Sequence, residues 1–133
     1  MEENKKQKIE KYHFEEIIYI LLILSSNLST YDEDELVNFT EDIEGRVDEL
    51  FSKDFLLNLN KIYGIDDIII KYLEEIKEII TAMYEPQWHT KLKEKSNISL
   101  QKIKTLSTQV LEKLKFEYIS PLEFSKEYLN IDW

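Results

Sequence analysis

The sequence IIYILLIL, at residues 17–24, decides the fold of this chain. These eight apolar residues lie inside a longer helical pattern over residues 5–26, in which two apolar stripes run side by side. A helix that is apolar on most of its sides is usually surrounded by other elements. The pattern therefore predicts a central, buried first helix. Its stripes are Ile9, His13, Ile17, Ile20 and Leu24, and Phe14, Ile18, Leu21 and Leu22.

Two alternatives for residues 17–24 are weaker. A buried β-strand would need a partner strand, and no second stretch of comparable apolar character exists to pair with it. A transmembrane span would need about 20 apolar residues. The preceding segment contains several acidic residues, which argues against a secretory signal peptide. We therefore expect a cytoplasmic protein that does not interact with a membrane.

The composition favours an all-α fold in a single domain covering residues 1–133. The chain has only two glycines and two prolines, whereas a β-sandwich needs a turn about every ten residues. A chain of 133 residues is also long enough to bury one core. We predict an irregular array of six to seven helices around the buried N-terminal helix.

An acidic helix follows the first one. Thr30 and Glu33 fit a capping box, in which the two side chains satisfy free backbone N–H groups at a helix start. Gly45 lies inside the helical pattern and predicts a bend or a break there. The predicted buried stripe is Leu36, Phe39, Ile43, Val47 and Leu50.

The later helices are marked by capping residues and by proline. Their predicted starts are Ser52, Asp66 or Asp67, Pro86, Ser99 and Ser120. The Ser52 helix is expected to end at Tyr63, with Gly64 in the left-handed conformation after it. The helix from Pro86 would place Trp88 and Leu92 four residues apart.

The sequence contains no recognisable catalytic, metal or cofactor site. The absence of cysteine excludes thiolate chemistry, disulfides and cysteine-ligated zinc. Two isolated glycines cannot form a phosphate-binding loop. His13 lies on the apolar face of the first helix, and His89 has no second histidine near it in the sequence. We expect a protein that is not an enzyme and holds no metal or cofactor.

Negative charge is concentrated in residues 32–54. This segment contains ten acidic and two basic residues, a net charge of −8, while the whole chain has a net charge of −10. Such a surface repels nucleic acid and anionic membranes and attracts basic proteins. The predicted partner-binding residues are Tyr31, Asp32, Glu33, Asp34, Glu35, Glu41, Asp42, Asp48 and Glu49.

A solvated face that only keeps the protein soluble is the alternative for this segment. Against it, the second half of the sequence contains a basic patch, so negative and positive charge are concentrated in different parts of the chain. The patch consists of Lys91, Lys93, Lys95, Lys102 and Lys104. Tyr31, Trp88 and Trp133 fall near predicted helix ends. There they are candidates for interface anchors as well as for core residues.

The chain resembles the small acidic helical immunity proteins of bacterial contact-dependent growth inhibition and related polymorphic toxin systems. The resemblance lies in the ending SPLEFSKEYLNIDW (residues 120–133), in the Trp88-x-x-x-Leu92 segment, and in size and charge. It implies a cytoplasmic protein that binds a cognate basic toxin domain of the nuclease class and blocks its active site. It transfers no functional residue.

Two other functions remain open from the sequence. One is a regulatory or scaffold module that acts by homodimerisation or by binding another helix. The other is an acidic inhibitor of the phage type that mimics the charge of nucleic acid.

Overall fold

The computed structural model describes residues 2–59, 63–94 and 97–127, and all regular structure in these ranges is helical. The helices are α1 (Glu2–Ser25), α2 (Glu33–Leu50), α3 (Lys53–Asn58), α4 (Asp67–Met83), α5 (Ile98–Lys113) and α6 (Pro121–Glu127). Short 3-10 helices cover Leu28–Thr30 and Trp88–Lys93, and the latter is named the Trp88 segment below. The predicted all-α fold is confirmed, and the β-strand alternative for residues 17–24 is wrong.

The first helix lies at the centre of the fold, as predicted. Every residue from 17 to 24 is at most 6% exposed. α1 packs against α5, α2 and α6, and α4 packs against α5. The apolar surface around the whole circumference of residues 17–24 is therefore covered by neighbouring helices, which is the main source of stability for a helical domain. None of the helices in the described ranges is both long and apolar enough to cross a bilayer.

The acidic helix α2 begins two residues later than the sequence predicted. Asp32 is the N-cap, and its side chain and that of Glu35 form the capping box. The Thr30–Glu33 capping box was therefore wrong. The Thr30 hydroxyl instead donates to the Asn27 carbonyl oxygen at 2.8 Å, inside the preceding 3-10 helix. The pairs Thr30–Glu33 and Asp32–Glu35 have the same spacing, so spacing alone does not choose between them. The hydrogen bond from Thr30 to Asn27 keeps Thr30 in the 3-10 helix, and Asp32 becomes the N-cap.

The buried face of α2 is the one predicted, because its whole apolar stripe lies in the core. The helix passes through Gly45 without a break, so the break considered for this position does not occur. Gly45 is exposed, and a Cβ atom added there would meet no atom within 4 Å. The packing of the stripe on α1 therefore keeps this position helical despite its low intrinsic propensity.

Capping residues define most of the other helix starts. Ser52 and Asp66 cap α3 and α4 as predicted, and Ser120 accepts a hydrogen bond from the Glu123 N–H at the start of α6. The predicted Ser99 cap is wrong. Asn97 caps α5 because its Oδ1 accepts from the Leu100 N–H at 3.2 Å.

The segments between these helices differ from the prediction in two places. α3 ends at Asn58 rather than Tyr63, and Gly64 has the expected left-handed conformation with φ 75°. The helix expected from Pro86 is the Trp88 segment, which buries Trp88 and Leu92. Of the predicted features, Lys95 and Trp133 lie outside the described residues.

Candidate functional site

The outward face of α2 carries a line of exposed carboxylates. Asp34, Glu41 and Asp48 follow each other at intervals of seven residues and are all exposed. On an ideal helix they fall within about 40° of one another and span about 21 Å along the axis. We name these three residues the acidic ridge. None of them forms an ion pair with another described residue.

One flank of α2 packs against the Trp88 segment. The Trp88 indole Nε1–H donates to Glu44 Oε1, and His89 Nε2 lies 3.5 Å from Glu33 Oε1. Trp88 is only 3% exposed, so it is a core residue and cannot serve as an interface anchor. The predicted partner-binding residue Glu33 thus faces a histidine of its own chain.

Tyr84 lies beside the same flank. Its hydroxyl is buried and has no hydrogen-bond partner in the described part of the chain. Burial, and then the nearby charges of Asp48 and Glu44, raise its pKa to about 12.

The other flank of α2 packs against α1 through a chain of polar contacts. Asp42 Oδ2 accepts from the Tyr19 hydroxyl at 3.0 Å, and Asp42 Oδ1 accepts from Arg46 Nη1 at 3.3 Å. Arg46 Nε donates to Glu16 Oε2 at 2.5 Å, and His13 Nδ1 lies 3.0 Å from Glu16 Oε1. We name these five residues the α1–α2 network.

The α1–α2 network gives Asp42 an internal role. Desolvation by burial, and then the charge of Asp42, raise the pKa of Tyr19. The phenol therefore remains a hydrogen-bond donor to Asp42 at neutral pH. The sequence predicted Asp42 as a partner-binding residue, and the structure uses it to fix α2 on α1.

The start of α2 contains the remaining predicted site residues. Asp32 and Glu35 are engaged with each other's backbone N–H groups in the capping box. The Tyr31 ring is half-buried and packs edge-on against Phe39, with the ring centroids 4.9 Å apart. Glu49 is exposed at the other end of the helix. Of the predicted carboxylates, the acidic ridge and Glu49 are therefore exposed and form no ion pair with another described residue. Tyr31 lies just before the start of the helix.

The described lysines form no ion pair with the acidic helix. Within the described ranges the ion pairs that involve lysine are Lys11–Glu15 and Lys91–Glu85, and neither includes a residue of α2. The other described lysines of the predicted basic patch, Lys93, Lys102 and Lys104, are exposed. The segment that carries Lys91 and Lys93 packs against α2, so this part of the predicted basic patch lies beside the acidic helix.

The histidines occupy structural positions. His13 contacts Glu16 and the edge of the Phe55 ring, with centroids 5.4 Å apart. His89 lies against Glu33. In the described part of the chain, no group of three or more histidine or acidic residues could hold a metal ion.

Tyr118 belongs to the same surface, although the sequence analysis did not select it. It lies in the connection between α5 and α6 and is 54% exposed. Burial of the hydroxyl, and then Tyr31, raise the pKa of Tyr118. In the sequence, Tyr118 could have been identified as an aromatic residue that belongs to no apolar helical stripe.

Comparison of the chain with protein-family models, with curated proteins and with solved structures found no match.

Proposed function

We propose that this protein is an immunity protein that binds a basic toxin domain of the nuclease class and blocks its active site with the outward face of α2. The observation that carries the proposal is the acidic ridge, which is exposed, carries three carboxylates along one line and has no cationic partner in the described part of the chain. A rigid helix anchored on the core holds these charges in place.

The spacing of the ridge suits a groove that binds nucleic acid. Successive ridge carboxylates are about 10 Å apart along the helix axis, which is close to the Debye length of about 10 Å at 0.1 M salt. Each carboxylate therefore acts almost independently of the others. Basic side chains that hold phosphates in a nuclease would meet a row of carboxylates instead, and the bound helix would exclude the substrate.

Charge and apolar contacts would have separate roles in the complex. The ridge and Glu49 would accelerate the encounter, and this effect would weaken with salt. Tyr31 would add apolar contact that lengthens the lifetime of the complex. Asp42 would act indirectly, by holding α2 on α1.

The test replaces the ridge in one variant, Asp34→Lys/Glu41→Lys/Asp48→Lys, which changes the net charge from −10 by six units. The probe is the basic domain encoded immediately upstream of this gene. We expect association with that domain to slow at least about tenfold at low salt, with protection of cells lost and the helical circular dichroism spectrum unchanged.

The control variant is Glu78→Lys/Glu117→Lys/Glu123→Lys, which makes the same change in net charge at exposed positions away from α2. It should bind and protect nearly as well as the wild type. Equal losses of binding and protection in both variants would show that the effect comes from net charge alone. The absence of a basic domain encoded upstream, or full protection by the ridge variant, would overturn the proposal.

A further inference from the structure

Gly45 lies on the outward face of α2, among the residues of the acidic ridge. On an ideal helix it is within about 20° of Asp34 and about 40° of Glu41 around the axis. Along the axis it lies about 6 Å after Glu41 and about 4.5 Å before Asp48. Gly45 is exposed. The ridge therefore contains one position without a side chain, where the helix backbone itself forms the surface.

The fold does not require a glycine at this position. The other glycine of the chain, Gly64, has φ 75°, a conformation that favours glycine. Gly45 is helical and lies well inside α2, and a Cβ atom there would meet no atom within 4 Å. Glycine is also less favourable than alanine inside a helix. Gly45 therefore lowers the stability of α2 and serves neither its backbone conformation nor its packing.

A missing side chain also lets a second molecule approach the backbone closely. At Gly45 such a molecule would meet three carboxylates, because Glu41, Asp48 and Glu49 are three or four residues away, the spacing of neighbours on a helix surface. All three residues are exposed and form no ion pair with another described residue. Their charge favours a cation as the second molecule.

The arginine of α2 does not occupy this position. Arg46 is the only basic residue of the helix, and its guanidinium donates to Glu16 and to Asp42. Those contacts lie on the flank of α2 that packs against α1. The cation would therefore have to come from another molecule or from another segment of this chain.

The lysines beside α2 belong to the opposite flank. Lys91 and Lys93 are part of the Trp88 segment, which contacts α2 at Glu33 and Glu44. On an ideal helix these two glutamates are about 100–120° around the axis from Gly45. In the described part of the chain, no lysine forms an ion pair with α2.

Arginine suits this position better than lysine. Its guanidinium is planar, and its five N–H donors can bind carboxylates on two sides. A flat group on the backbone at Gly45 would have Glu41 before it and Asp48 after it, since these residues are about 10 Å apart along the axis. The ammonium group of lysine is compact and strongly hydrated, and it acts as a point charge.

We propose that one arginine side chain of the basic partner lies across α2 at Gly45, between Glu41 and Asp48. This inference rests on the proposed function for the partner being a basic protein. It makes Gly45 a specificity-determining residue of the interface and assigns the closest contact of the complex to the middle of the acidic ridge.

Heptaarginine is the probe, because the inference concerns an arginine on α2 whatever the identity of the toxin. In a titration followed by nuclear magnetic resonance, we expect the signals of Gly45, Glu41 and Asp48 to shift together. Gly45→Leu should weaken binding more than about fivefold and Gly45→Ala about threefold, because the added side chain occupies the space of the guanidinium. Gly45→Ala should also melt at a higher temperature than the wild type. A purely structural role for Gly45 does not predict a more stable variant that binds less well.

Two controls test whether the effect is specific to this position and to arginine. Ala82→Leu adds a large apolar side chain at an exposed position of α4, and it should bind heptaarginine within twofold of the wild type. Heptalysine carries the same charge as heptaarginine without the planar groups. Its binding should therefore change less than twofold when Gly45 is replaced by leucine.

Each outcome counts for or against the arginine contact. Binding of heptaarginine to Gly45→Leu within twofold of the wild type, equal weakening by Ala82→Leu, or equal sensitivity of heptalysine would overturn the inference. If Gly45→Leu does not fold, Gly45→Ala still decides.

The inference and the proposed function can fail separately. Loss of toxin binding in the ridge variant, with full toxin binding by Gly45→Leu, would overturn the inference and leave the proposed function standing. The expected heptaarginine results in a protein that protects against no toxin would leave the inference standing and refute the proposed function.

Discussion

Replacing Arg46 by methionine should destabilise the protein by about 3 kcal/mol. Arg46 is the only arginine of the chain, and it donates to Glu16 at 2.5 Å. The Glu16 side chain is only 9% exposed, whereas that of Arg46 is 29% exposed. Removing one member of a buried ion pair costs about 3–5 kcal/mol, since the remaining charge loses its ionic partner; after removal of Arg46, Glu16 keeps only its contact with His13 among the described residues. Because Arg46 is partly exposed, we expect a loss at the lower end of this energy range.

The double variant Glu16→Met/Arg46→Met separates the unpaired charge from the loss of packing. When Glu16 is also replaced, its buried carboxylate no longer lacks an ionic partner, so the total loss in the free energy of unfolding should fall to about 1 kcal/mol or less. The single Arg46→Met variant should therefore be less stable than the double variant. This order is unusual, because adding a second core substitution normally lowers stability further.

Urea unfolding followed by circular dichroism measures Arg46→Met, Glu16→Met and the double variant under identical conditions. A loss of about 3 kcal/mol in the Arg46→Met variant corresponds to a melting temperature lower by roughly 10 °C for a domain of this size. A loss below about 1 kcal/mol in that variant, or a double variant that loses the sum of the two single changes, would refute the reasoning about the buried charge.

Three further predictions concern single residues. Gly45→Ala should raise the free energy of unfolding by about 1 kcal/mol, because a methyl group there meets open space; a decrease in urea unfolding would contradict this. Ser107→Ala should raise it by about 1 kcal/mol, because the buried hydroxyl has no hydrogen-bond partner among the described residues; a lower melting temperature in calorimetry would count against it. Burial raises the pKa of Glu15, with Lys11 opposing, so the folded state binds its proton more tightly than the unfolded state. Stability from this group is present at low pH and is lost as pH rises past the unfolded value. Glu15→Gln should therefore stabilise the protein at pH 7 and have little effect below about pH 4, and equal effects of this substitution at both pH values would exclude that explanation.

The buried side of the fold could be predicted from the sequence because periodicity fixes it. Leu36, Phe39 and Ile43 recur at helical spacing, and burial of one forces burial of the others. The helix starts were less certain. Thr30 and Asp32 each precede a glutamate by three residues, and only the local hydrogen bond of Thr30 to Asn27 excludes the earlier start.

The roles of individual acidic residues could not be predicted in this way. Asp42 and Glu44 lie on the same polar arc as the ridge in any helical wheel. Their partners, Tyr19 and Trp88, come from segments 23 and 44 residues away. The sequence pattern therefore identifies the polar face of the helix, and contacts with other segments decide which carboxylates on that face remain unpaired.

The independence of the acidic ridge from the core has an evolutionary consequence. Asp34, Glu41 and Asp48 are exposed and form no ion pair with another described residue, so we expect changes at these positions to have little effect on folding. Selection for a different binding partner can therefore alter this line one residue at a time. Residues 17–24, enclosed on every side, would have to remain nearly constant while the outer surface diverges.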